Sequence, residues 1–198
     1  YGGEILGLSV SATTLLTAMW ATGALAGFAW AGRQMTRGSN AYRLAGAGIL
    51  AGIWAFSMVI FAAPMDSAPL FFAGALLIGY GGGLFAVSTL TAAMTMPARG
   101  VAGRGLALGA WGAAQATAAG TAIALGGTLR DWVGSIAMTG VLGEGMAVPS
   151  TGYSFVYHAE IGLLFLTLVV LGPLVRSSGR PNPQTTETPG LGLADFPT

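Results

Sequence analysis

Leu70–Met96 reads LFFAGALLIGYGGGLFAVSTLTAAMTM, and it decides the fold. The stretch carries no Asp, Glu, Lys or Arg. It exceeds the roughly 20 residues that an α-helix needs to cross a hydrocarbon core about 30 Å thick. Near its middle lies Gly79-Tyr80-Gly81-Gly82-Gly83. Each glycine costs about 1 kcal/mol against alanine in a water-exposed helix. In lipid the backbone has no other partner, so the helix persists. The run is therefore expected to be a soft point in a membrane helix, either a hinge or a flat surface for something bulky and planar.

Four further stretches of this kind extend outward from it, near residues 6–30, 44–63, 105–129 and 155–175, giving five expected spans. Strand-type alternation is absent, which argues against a membrane barrel. The whole composition agrees. Of 198 residues, 54% are apolar and 8% charged, with mean hydropathy +0.70, whereas a soluble domain carries about 25% charged residues. A soluble enzyme is excluded on that ground. With a net charge of +1, there is no polybasic footprint for nucleic acid. The fold class expected is an all-α integral membrane protein whose first partner is the lipid bilayer. Residues 1–176 form its transmembrane domain. Residues 177–198, rich in Pro, Thr and Gly, form a flexible cytoplasmic tail.

Charge fixes an orientation. Arg33, Arg37, Arg43, Arg99, Arg104, Arg176 and Arg180 share one side if five spans alternate. Arg130 lies on the other with Glu4, Asp66, Asp131 and Glu144. The positive-inside rule places the N-terminus in the periplasm and the C-terminus in the cytoplasm. The outer connection Arg130–Ser154 reads as an interfacial segment anchored by Trp132, or as a docking surface. The chain opens on Tyr1 and reads as a processed product or a partial chain. The first span is too long for a signal peptide.

Few residues carry chemistry. There is no Cys, and every basic side chain is Arg, which removes thiolate sites and Schiff-base lysines. No metal site and no catalytic group is expected. Gly23 and Gly27, Gly79 and Gly83, and Gly105 and Gly109 are spaced four apart. Small residues at that spacing line one helix face and let backbones approach. They read as helix-packing positions, or as surfaces for sliding in a transporter. Gln115 is the polar side chain placed deepest in a span. It reads as an interhelical hydrogen bond or a substrate contact. His158, beside Tyr157 and Glu160, reads as an interfacial imidazole bonded to Glu160 or a loop carbonyl. The sharper reading is an axial ligand to a chlorophyll magnesium, set in a flat slot bounded by Tyr157 and Ile161.

Three runs together resemble the PucC family. They are Tyr1-Gly2-Gly3-Glu4 with Thr13–Ala18, then Gly79 through Met94, and Gly105-Leu106-Ala107-Leu108-Gly109-Ala110-Trp111 through Ala116. The resemblance covers about Tyr1 to Arg176. It implies a major-facilitator fold and a phototrophic bacterium's inner (intracytoplasmic) membrane. It also implies help in assembling light-harvesting antenna complexes. The five spans would match the last five of twelve, and the Asp usual in the Arg33–Arg43 connection is absent. On this reading the chain is a non-enzymatic assembly factor or accessory subunit. Its partners are antenna polypeptides or a reaction-centre complex, met through Gly23, Gly27, Gly79, Gly81, Gly82, Gly83, Gly105 and Gly109. Bacteriochlorophyll is the implied cofactor, with His158 or Gln115 as its ligand. The alternative is a major-facilitator transporter. An enzyme of pigment synthesis has little support, since no Asp-rich diphosphate motif is present.

Overall fold

The computed structural model describes residues 1–95 and 100–177. Five long helices follow one another: α1 (Val10–Thr36), α2 (Ala41–Ala62), α3 (Ala68–Met94), α4 (Gly100–Met138) and α5 (Ser150–Ser177). One 3-10 turn, Glu144–Met146, lies between the last two. Among the described residues there is no strand. The C-terminal tail from residue 178, and the connection holding Arg99, lie outside the described residues.

Short polar side chains start the first three helices. Ser9 Oγ accepts from the Ala12 amide. Asn40 Oδ1 accepts from Tyr42 and Arg43 at 2.8 and 3.3 Å. Ser67 Oγ accepts from Leu70, with Pro69 in the first turn, where its missing N–H costs nothing. Pro173 lies inside α5 without ending it, as membrane helices tolerate.

Four of the helices, α1, α2, α3 and α5, are long and apolar enough to cross a membrane. α4 is not among them. It is the longest helix, at 39 residues, but Gln115, several threonines and many glycines dilute its apolar character. Five long helices thus occur where five spans are expected, and four of them meet the length and apolar requirement by themselves. The first part of the expected outer connection, Arg130 to Met138, is helical and continues α4, so the stretch between α4 and α5 is shorter than expected.

The centre of the bundle is α3, packed between α1 and α2. Its glycines explain how. Towards α1, a Cβ on Gly79 would collide with the Trp20 carbonyl, and one on Gly83 with the Ala24 carbonyl. The approach is reciprocal: a Cβ on Gly23 would meet the Leu76 carbonyl, and one on Gly27 the Tyr80 carbonyl. Towards α2, Gly48 and Gly81 face each other, and a Cβ on either would lie 2.6 Å from the other's carbonyl oxygen. Gly74 opposes Val59 and Ala55 on the same side. The glycine run therefore serves two faces of one unbroken helix. α3 continues through the run unbroken from Ala68 to Met94. Leu84, Ala31, Ala45, Ala55 and Ala62 fill what remains, each at most 2% exposed. Van der Waals contact of this kind, rather than water exclusion, holds helices together in lipid.

Candidate functional site

At the end of the bundle away from Arg33, Arg37, Arg43 and Arg176, four segments meet. The Tyr1 ring packs on Phe71 of α3 and edge-on against Tyr153 and Tyr157 of α5, with centroids 5.4 to 5.5 Å apart. Burial raises the Tyr1 phenol above its ordinary value. The Tyr153 hydroxyl donates to Glu4 Oε2 and accepts from Arg130 at 2.9 Å. Arg130 also donates to Asp131 Oδ1. The Asp131 hydrogen bond, aided by Tyr153, holds the guanidinium above its ordinary range, so Arg130 stays a cation. The group ties the segment before α1 to α4 and α5. Its one signal in the sequence was that Arg130 stands alone on the acidic side. Exposed ion pairs contribute little, so the tie rests on the Tyr153 hydroxyl. Tyr153→Phe is expected to lower stability by about 1 kcal/mol, read as a small fall in melting temperature in detergent. A fall no larger than that of Tyr42→Phe at the opposite end would remove this role.

Just below this cluster a cavity of about 300 Å³ opens between the helices, walled by Leu16, Trp20, Phe71, Ile78 and Tyr157. It is apolar, and His158 is not part of its wall. His158 is exposed and turned to the outside of α5. Its Nδ1–H donates to the Ser154 carbonyl one turn earlier at 2.7 Å. The expected pairing with Glu160 is not made, because residues two apart on a helix face nearly opposite ways. The expected slot between Tyr157 and Ile161 is corrected as well: the space beside Tyr157 is on the inner face, away from the imidazole.

The bond to Ser154 nevertheless fixes the tautomer. With Nδ1 protonated, Nε2 carries a free lone pair directed outward. A ligating histidine commonly has this arrangement, its other nitrogen donating to a backbone carbonyl. The donor thus fits a chlorophyll magnesium, but any planar ring would lie on the outer surface of α5. Among the described residues there is no cluster of three His, Asp or Glu able to hold a metal ion directly.

The remaining expected residues are on α4, and they lie in the open. Gln115 is exposed on α4 and makes no side-chain hydrogen bond among the described residues, so the interhelical bond expected of it is not made there. A Cβ on Gly105, Gly109, Gly112 or Gly120 would meet nothing within 4 Å, and neither would one on Gly82 of α3. The helix is held near Trp111, whose Nε1–H donates to Thr89 Oγ1 of α3 at 3.2 Å. Its C-terminal part is held by α5, where Val133 and Ala137 are buried and Gly152 admits the Arg130 carbonyl. Between these anchors, Ile123 and Leu125 are 78% and 64% exposed.

These features define a multi-pass helical membrane protein with one long, weakly apolar helix left open along a face of small residues. The chain belongs to the PucC family: residues 1–179 match the family described as PUCC protein. It is 52% identical over its whole length to an uncharacterized protein in the puhA-bchM intergenic region of Rhodobacter capsulatus, covering 41% of that protein. It is 46% identical to Protein PucC of Cereibacter sphaeroides over 90% of this chain and 37% of that one. It is 51% identical to Protein PucC of Rhodovulum sulfidophilum over 67% of this chain and 29% of that one. The chain thus spans about two fifths or less of the length of these relatives. No solved structure matches it.

Proposed function

We propose that this chain is part of a non-enzymatic assembly factor for a bacterial light-harvesting or reaction-centre complex, and that antenna polypeptides dock on the open face of α4. The observation that carries the reading is a contrast between two sets of glycines. Gly23 and Gly27 of α1, Gly48 of α2, and Gly79, Gly81 and Gly83 of α3 are occupied by neighbouring backbones within the chain. Those of α4 at 105, 109, 112 and 120 have nothing against them. In lipid, a face of small residues is where another helix packs closely, because close van der Waals contact is the main gain available. A short antenna polypeptide that crosses the membrane as a helix would suit such a face. The PucC membership of the chain supports this class of partner. It also supports a position in the inner membrane; with all five helices crossing, the arginine bias favours a cytoplasmic C-terminus for α5.

Bacteriochlorophyll belongs to the same proposal. The pigment's magnesium takes one axial donor, and His158 presents one on the outer face of α5. The ring would then lie between α5 and a docked helix rather than inside the bundle.

Gentle purification of the native protein, followed by an absorption spectrum and a gel, tests both parts. Short antenna polypeptides and a red pigment band are expected. His158→Leu is expected to lose at least half of the pigment while keeping the polypeptides. Unchanged pigment in that variant would remove His158 as the ligand. A colourless protein that purifies alone and moves a solute across vesicle membranes would replace the assembly reading with transport.

A further inference from the structure

At the arginine-bearing end of the bundle, a groove of about 350 Å³ runs between the start of α2 and the end of α5. Two of its lining residues are arginines, Arg43 in the first turn of α2 and Arg176 in the last turn of α5. Both are exposed. Among the described residues, neither has an ion-pair or side-chain hydrogen-bond partner. The rest of the lining is apolar apart from Tyr42. Leu168 and Leu171 form a wall continuous with the buried Ala45 and Ile49. Gly46 and Gly172 keep the floor low, and a Cβ on Gly172 would meet nothing within 4 Å.

We propose that this groove is a binding site for an anionic phospholipid. The phosphodiester would sit between the Arg43 and Arg176 guanidiniums, and an acyl chain would lie against Leu168 and Leu171. Three observations converge on that ligand. Two guanidiniums at one site, with no partner among the described residues, call for an anion, and arginine's planar fork matches phosphate oxygens in pairs. Both arginines are at the ends of apolar helices, the depth at which headgroups lie. The adjoining wall is apolar, which a free anion would not need and an acyl chain would. The ligand is thus amphiphilic and negatively charged, as the lipid around the protein can be.

The test is native mass spectrometry of the full-length protein in mild detergent, titrated with phosphatidylglycerol and separately with phosphatidylcholine. Phosphatidylglycerol is expected to bind more tightly. The double variant Arg43→Gln/Arg176→Gln is expected to bind it about tenfold or more weakly, as the loss of two interfacial arginines implies. Arg33→Gln/Arg37→Gln, the same charge change elsewhere on that end, is expected to leave binding within about twofold. Gly172→Leu keeps both arginines and adds bulk to the groove lining at a position whose Cβ meets nothing within 4 Å; it is expected to weaken binding as well. An equal loss in both arginine double variants would reduce the effect to general surface charge and overturn the site. Equal binding of the two lipids would overturn it too. If millimolar inorganic phosphate displaced the lipid completely, the site would be one for free anions instead.

Discussion

Gly79→Ala is expected to cost the protein about 3 kcal/mol or more, while Gly82→Ala, three residues on in the same run, costs nothing. A methyl group on Gly79 would run into the Trp20 carbonyl of α1. That contact is with backbone, so no rotamer change can relieve it, and the two helices must separate. Overpacking a tight core costs about 1–3 kcal/mol when side chains can yield, and more when they cannot. A separated α1 also loses the matching contacts at Gly23, Gly27 and Gly83. On Gly82 the same methyl meets nothing within 4 Å, and alanine is the better helix former. Thermal unfolding in detergent, with the amount of protein in the membrane, reads both. Equal melting temperatures for the two variants would contradict the α1–α3 packing described here. These glycines are inside the fold, so loss of antenna assembly on changing Gly79 or Gly83 would report unfolding and not a lost partner contact.

The opposite pattern is expected on α4. In Gly105→Leu/Gly109→Leu, neither new Cβ meets an atom of the chain within 4 Å. Protein level and melting temperature should stay near the parent's. Co-purified antenna polypeptide should fall about tenfold, the equivalent of ~1.4 kcal/mol of lost association. Leucine on that face holds an approaching helix away from the backbone, which is the contact that small residues permit. A normal yield of antenna polypeptide with this variant would take α4 out of the interface.

Membrane helices were legible from the sequence because their signal is length and apolar content, and both are local. The glycine run was legible as unusual, but its purpose was not. Gly79 and Gly83 face one neighbour, Gly74 and Gly81 another, and Gly82 neither; that division depends on which helices flank α3. The sequence put Gly79, Gly81, Gly82 and Gly83 in one class with Gly105 and Gly109, and the structure separates the occupied from the open. The full length of α4 was not legible for a similar reason. Arg130 and Asp131 look like the end of a span, yet the helix continues to Met138 because Val133 and Ala137 find a buried face on α5. His158 was recognised as a singular side chain. Its bond to Ser154 and its outward direction follow from the rotation of α5 in the bundle, which no local pattern encodes. The pairing of Arg43 with Arg176 across one groove joins residues more than a hundred positions apart, and it too is a property of the fold alone.

The central claim is that a second polypeptide covers the open face of α4. A photo-crosslinking residue placed at Ala113, on that face and exposed, tests it in the native membrane. The account predicts an adduct heavier by one short antenna polypeptide, and no such adduct when the same residue replaces buried Ala31. Adducts from Ala113 only to lipid, or only to another part of the same protein chain, would contradict it.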